Sequence, residues 1–223
     1  MFQITIWSIP SLLAALVCVG AYLRARKMKR VPGMQALLAL LAALLFWSGA
    51  QFIGSVFTVP SIKLLTAKLA YFGIVLSPVA WLFFAVSYTR RQMRLPKLAV
   101  NLLCVIPTLT LLLVMTNDWH NLIWAQVDFV WDKGVYGMVA EYGPWFYVHL
   151  LYSYALLMVA TTILAWSIGH TTGAWKPVVA VIAAPIVVAL TNLFYLCLLY
   201  TSDAADDQGL GVWEGGGGAG GGG

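Results

Sequence analysis

"ITIWSIPSLLAALVCVGAYLRARKMKR", residues 4–30, decides the fold. From Ile4 to Leu23 the chain carries no charge, and Arg24, Arg26, Lys27, Lys29 and Arg30 follow at once. A cleaved secretory signal has its basic residues in front and a small-residue cleavage site behind. The reversed order reads as a retained anchor, long enough to cross the hydrocarbon core of a bilayer. The trailing charges place its C-terminal end in the cytoplasm and the N-terminus outside.

Composition agrees. Of 223 residues, 61% are hydrophobic and 9% charged, far below the roughly one quarter of charged residues usual in a soluble domain. The same pattern then repeats. A second apolar run spans about Pro32–Phe57, and the short turn "TVPSIK" leads to a third that ends near Thr89. "RRQMRLPK" follows, then a fourth run at about Leu98–Thr116, a fifth at about Trp145–Ile168 and a sixth from about Val178. Six crossings put the loops at 24–30, 90–97 and 169–177 on one side. Ten of the 13 basic residues fall there, against Lys63, Lys68 and Lys133 on the other. Alternation and charge therefore give one topology, and each crossing is expected to be helical because an open strand in lipid leaves backbone groups unpaired. The charge does not point to nucleic acid, since it sits in short loops between apolar runs.

The long polar connection, residues 117–144, holds Asp118, Asp128, Asp132 and Glu141, the acidic residues outside the last stretch of chain. Within it Val127, Phe129 and Trp131 alternate with polar neighbours, and "DKG" supplies a glycine turn, so a β-hairpin is expected with a second strand at about Val135–Tyr142. Its aromatic residues read either as a belt at the headgroup level or as a lid over a ligand pocket between the outer helix ends. Candidate ligand-sensing residues are Trp119, His120, Trp124, Trp131, Glu141, Trp145 and His149. His120 and His149 are both expected near the outer surface. No spacing of His, Asp or Glu matches a metal motif, and no Walker loop, HExxH or GxSxG is present, so neither a metal, a cofactor nor a catalytic set is expected.

Polar residues inside the spans are expected to face the bundle interior, where they bond between helices or line a cavity. They are Gln51, one turn after Trp47, then Asn101, Thr191 and Asn192. Pro78, Pro107 and Pro185 read as ordinary membrane-helix prolines, and Cys18 and Cys104 as buried packing. No acidic residue lies in any span and no half repeats, which argues against the alternative of a small transporter or channel.

The order of these features resembles a known family. "LLFWSGAQFIGSVFTVPSIKLLTAKLAYFGIVLSPVAWLFFAVSYTRR", residues 44–91, resembles the second and third spans of the seven-helix N-terminal sensor region of bacterial membrane histidine kinases. "MTNDWHNLIW" (115–124) resembles the end of that family's fourth helix, "YGPWFYVHLLYSYALLM" (142–158) the start of its fifth, and "IAAPIVVALTNLFYL" (182–196) its sixth. Two features depart from the pattern: Gln51 stands where the family carries a glutamate, and no seventh apolar span follows. The resemblance implies six transmembrane helices of an incomplete seven-helix bundle, an all-α integral membrane protein with a small external β-hairpin between helices four and five. It implies a sensory module in the bacterial inner membrane, truncated before helix seven. This chain would have no enzymatic activity itself. The missing output domain is expected to be a histidine kinase of a two-component system, with a diguanylate cyclase next. The partners implied are the lipid bilayer, a small ligand or membrane signal of unknown identity and, from resemblance alone, a second copy in a homodimer.

The last stretch, "CLLYTSDAADDQGLGVWEGGGGAGGGG" (197–223), fits none of this. "CLLYTSDAADD" can be encoded in one frame by a string that resembles a transposase-type sequencing adapter, and the glycines fit a run of G calls past a fragment end, where the alternative is a genuine flexible Gly-rich tail. The sensor domain is therefore expected to comprise residues 1–195, with 196–223 as non-native tail.

Overall fold

A computed structural model describes residues 2–5, 8–27, 33–89, 96–132 and 134–172. Its elements, in order, are α1 (Ser8–Lys27), α2 (Met34–Val56), α3 (Pro60–Thr89), α4 (Lys97–Met115), a single turn α5 (Asn117–His120), strands β1 (Trp124–Asp132) and β2 (Val135–Tyr142), and α6 (Pro144–Thr172). Five helices, α1, α2, α3, α4 and α6, are long and apolar enough to cross a membrane. The expected sixth run, with Pro185, Thr191 and Asn192, lies outside the described residues, as does the tail.

Local chemistry sets the ends. Gly33 precedes α2 at φ +83°, a left-handed conformation that costs glycine nothing. Pro60 opens α3, where its missing N–H would have no helical partner anyway. The first helix begins later than its apolar run suggests and continues through Arg24, Arg26 and Lys27. Residues 2–5 lie outside the helix. Gln3 N–H donates to the Val56 carbonyl at 2.8 Å, and Phe2 pairs with Phe57, their rings 4.8 Å apart.

The third helix is the hub. Half of its most apolar stretch is buried, more than in any other described span, and it packs against α2, α4 and α6. Its approach to α2 is closest at Gly73, where a Cβ would stand 2.6 Å from Trp47 Cβ and 2.8 Å from Trp47 N. Lower down, Val79, Leu82 and Ala85 meet Leu156, Ala160 and Leu164 of α6. The outward faces are also apolar, among them Leu16 and Val17 on α1, Leu98 and Leu102 on α4, and Leu151 and Met158 on α6. A surface of this kind suits hydrocarbon rather than water.

The hairpin forms over the expected residues. The strands run antiparallel from Trp124↔Tyr142 to Asp132↔Val135, with a bulge between Trp124 and Gln126, and Gly134 takes φ +81° in the turn. It lies at one end of the bundle. The C-terminal end of α1, the starts of α2 and α4 and the end of α3 lie at the other, so Arg24, Arg26, Lys27 and Lys97 gather opposite the hairpin.

Two expectations about side chains are not met by the packing among the described residues. Gln51 and Asn101 are exposed on the outer faces of α2 and α4 rather than turned into the bundle. Cys104 is exposed as well, while Cys18 is half-buried. All these helices are apolar on every side, so one polar residue does not fix which side faces the neighbours.

Candidate functional site

The base of the hairpin is organised by Asn117, which the sequence reading did not single out. Asn117 opens α5, just after α4, and its side chain is buried. Its Oδ1 accepts from the backbone N–H groups of Ile123 (2.9 Å) and Trp124 (3.1 Å), and its Nδ2 donates to the Trp124 carbonyl (3.0 Å). One amide thus satisfies three buried backbone groups that no ladder reaches, and it fixes the path into β1. The same lead-in holds the start of α6. Gly143 N–H donates to the Ile123 carbonyl at 2.9 Å, and Trp145 N–H to the Leu122 carbonyl at 3.0 Å. Gly143 must be glycine here, since a Cβ would fall 2.6 Å from the Asn121 oxygen.

His120 closes the turn beside it. Leu122 N–H donates to His120 Nδ1 at 3.1 Å, so Nδ1 carries the lone pair and Nε2–H faces Thr116 Oγ1, also at 3.1 Å. The Thr116 hydroxyl in turn donates to the Leu112 carbonyl at 2.7 Å. Both ring nitrogens are therefore engaged by the chain itself. Asn121 follows at φ +54°, a conformation asparagine tolerates better than most side chains.

Beneath the hairpin lies a layer of packed side chains. Val127, Met138, Ala140 and Tyr142 rest on a buried cluster of Tyr71, Val75, Val114, Ile123 and Trp124, with Trp124 edge-on to Tyr71 at 5.5 Å. Among the described residues, this face of the hairpin rests on packed side chains. A second polar seam lies just below, between α4 and α6. Trp145 Nε1–H donates to Thr110 Oγ1 at 3.0 Å, and the Thr110 hydroxyl donates to the Ile106 carbonyl at 2.8 Å. That hydroxyl proton being used, His149 Nδ1, 3.4 Å from Thr110 Oγ1, is the donor, and Nε2 accepts from Ser153 at 3.2 Å. Thr110 is fully buried and His149 is 4% exposed, so His149 lies between the helices and not at the outer surface.

The far edge of the hairpin is tied to α2 and α3. Gln3 Oε1 accepts from Tyr136 N–H (2.9 Å), while its Nε2 donates to the carbonyls of Tyr136 (2.8 Å) and Ser55 (3.1 Å). Lys63 is buried below this strap. Its ammonium donates to the Gly54 carbonyl at 2.9 Å and stands 5.7 Å from the Tyr136 ring centre. A carbonyl in the last turn of α2 and an aromatic face are both electronegative, which suits a cation placed unfavourably at the start of α3. Lys68 pairs with Asp118 at 2.8 Å across the boundary between α3 and α5.

The seven candidate sensing residues therefore do not converge on one pocket. Trp119 (87% exposed), Trp131 (65%) and Glu141 lie on the outer surface, with Trp131 against Tyr136 at 5.1 Å. His120 caps the turn at the base, and Trp124, Trp145 and His149 belong to the packed layer beneath. Gln51 and Asn101 take no part. Asn117, Thr110, Gln3 and Lys63 complete the arrangement. Among the described residues no group of three or more His, Cys, Asp or Glu could hold a metal. What the arrangement can do is mechanical: it links α4, α6 and the α2–α3 pair through one small sheet.

No curated protein and no solved structure matches the chain. A family model, the N-terminal 7TM region of histidine kinase, matches residues 8–206, and so runs beyond residue 195. With that match across most of its length and five helices able to cross a membrane, this multi-pass chain belongs to the family of N-terminal 7TM regions of histidine kinases.

Proposed function

We propose that the chain is the sensory receptor module of a bacterial signal-transduction protein. The N-terminus and hairpin face outward from the inner membrane, and the basic end faces the cytoplasm. A signal at the outer surface or in the membrane shifts the hairpin, and the helices carry that shift to a cytoplasmic output domain, a histidine kinase before a diguanylate cyclase. The observation that carries this reading is the double anchorage of the hairpin, through Asn117 and Gly143 to α4 and α6, and through Gln3 to α2. A ligand works such a device only by binding two helix arrangements unequally, and the exposed Trp119, Trp131 and Glu141 are where contact with it is open.

The test is Trp131→Ala combined with His120→Ala in the intact parent protein, with output measured across candidate stimuli. Lost or shifted response supports the reading, and an unchanged response to every stimulus removes the outer surface as the sensing element. Orientation is checked separately with single cysteines. One at position 134 should react with an impermeant maleimide added outside intact cells, and one at position 27 only after lysis.

A further inference from the structure

At the end opposite the hairpin, α2 and α3, with the end of α1 and Cys104 of α4, border an open cleft of about 990 Å³, at the upper end of the range usual for small-molecule sites. Its walls are apolar, with Ala39, Leu76, Val79 and Phe83 among them, and Cys104 and Leu76 are exposed at its side. Arg26 stands on its lining, with Arg24 and Lys27 in the same last turn of α1. The contact described for the Arg26 guanidinium is the Tyr22 ring, 5.8 Å from its centre. Among the described residues every acidic one lies at the hairpin end, so no carboxylate competes for this cation. Apolar walls open to the side and a basic rim at the interface match one kind of molecule, with a long hydrocarbon chain and an anionic head.

We propose that this cleft is a binding site for an anionic phospholipid of the inner leaflet, its acyl chain along Leu76, Val79 and Phe83 and its phosphate at Arg26. Basic pockets between transmembrane helices on the cytoplasmic side are suited to such headgroups. The leaflet rests on the orientation proposed above, whereas the site itself does not. Occupancy would wedge α1 and α2 against α3 and α4 and so make helix packing sensitive to membrane composition.

The test uses the full chain in nanodiscs that carry a trace of phosphatidylglycerol with a photoreactive diazirine in its acyl chain, compared with the phosphatidylcholine analogue. The expected result is labelling of peptides containing Leu76–Phe83 and Cys104, stronger for phosphatidylglycerol. Arg26→Gln, a change at an exposed position, should reduce that excess about fivefold, the loss expected for one basic side chain near an anionic surface. Ala39→Trp, which fills the cleft without altering charge, should lower labelling by both analogues. Equal labelling by the two lipids, labelling confined to other peptides, or indifference to Arg26→Gln would overturn the proposal, as would displacement by inorganic phosphate, which would mark a free-anion site. Both leaflets of a nanodisc carry the probe, so an inverted topology would leave these results unchanged and would show only in the cysteine accessibility test.

Discussion

Replacing Asn117 by alanine should loosen the base of the hairpin selectively. The change removes an acceptor shared by two buried N–H groups and a donor to one buried carbonyl, at 2.9, 3.1 and 3.0 Å. A buried group left without a partner costs about 1–3 kcal/mol, and partial relaxation onto water recovers some of that, so a total of about 2–4 kcal/mol is expected. If the loss falls on local opening, exchange protection of the Ile123 and Trp124 amides should drop by roughly 30- to 1,000-fold in a detergent micelle, with mid-α3 amides near Val75 little changed. Asn117→Asp is the informative companion. Its carboxylate still accepts from both N–H groups but sets an oxygen against the Trp124 carbonyl, and it should fall between wild type and alanine. Protection at Ile123 and Trp124 within about threefold of wild type in the alanine variant would mean that Asn117 does not hold this junction.

Other expectations follow from the same geometry. Gly73→Ala forces a Cβ to within 2.6 Å of Trp47 Cβ and should cost about 1–3 kcal/mol, read as a lowered thermal midpoint in micelles; an unchanged midpoint would show that α2 and α3 can separate freely. Thr110→Val deprives the Trp145 indole and His149 of their shared partner and should destabilise by about 1–3 kcal/mol, with Thr110→Ser recovering most of it. Lys68→Ala should change stability by no more than about 1 kcal/mol, because Asp118 is well exposed and such pairs contribute little; a larger loss would mean the pair is desolvated by something outside the described residues. Gln3→Ala should raise exchange at the Tyr136 amide, which Gln3 Oε1 now holds at 2.9 Å, by roughly five- to tenfold, the worth of about one net hydrogen bond.

How much of this could be read beforehand depends on the kind of signal. Apolar length located α2, α3, α4 and α6 closely, and period-two alternation with a turn glycine located β1 and β2. Helix orientation about the long axis was not readable. In water, polarity marks the outside of a helix, but in lipid both the packed face and the outer face are apolar. Gln51, Asn101 and Cys104, expected to be packed inward, are therefore exposed among the described residues, while His149, expected near the surface, is buried and bonded to Thr110 and Ser153. Asn117 carries no distinguishing sign in the sequence, because an asparagine after an apolar run looks like an ordinary helix end, and only the fold of residues 121–124 around it shows that it has three partners. Gln3 gives no local sign at all, since Tyr136 is 133 positions away. The apolar run from Ile4 exceeds α1, which starts at Ser8, because composition does not mark where a helix begins within an uncharged stretch.

The hairpin is fixed along both edges, through Asn117 on one and Gln3 on the other, and so transmits a push as a strut does. A loop held at one end swings and loses a push as it goes. A strut held at both ends turns the same push into opposed displacements of its two abutments. Here those are the α4–α6 pair on one side and the end of α2 on the other, with α3 between them as the fixed pier. On the proposed sensing reading, a push on the strut becomes shear between the outer helices, and lateral tension in the surrounding bilayer would act on the same coordinate as a molecule landing on Trp131.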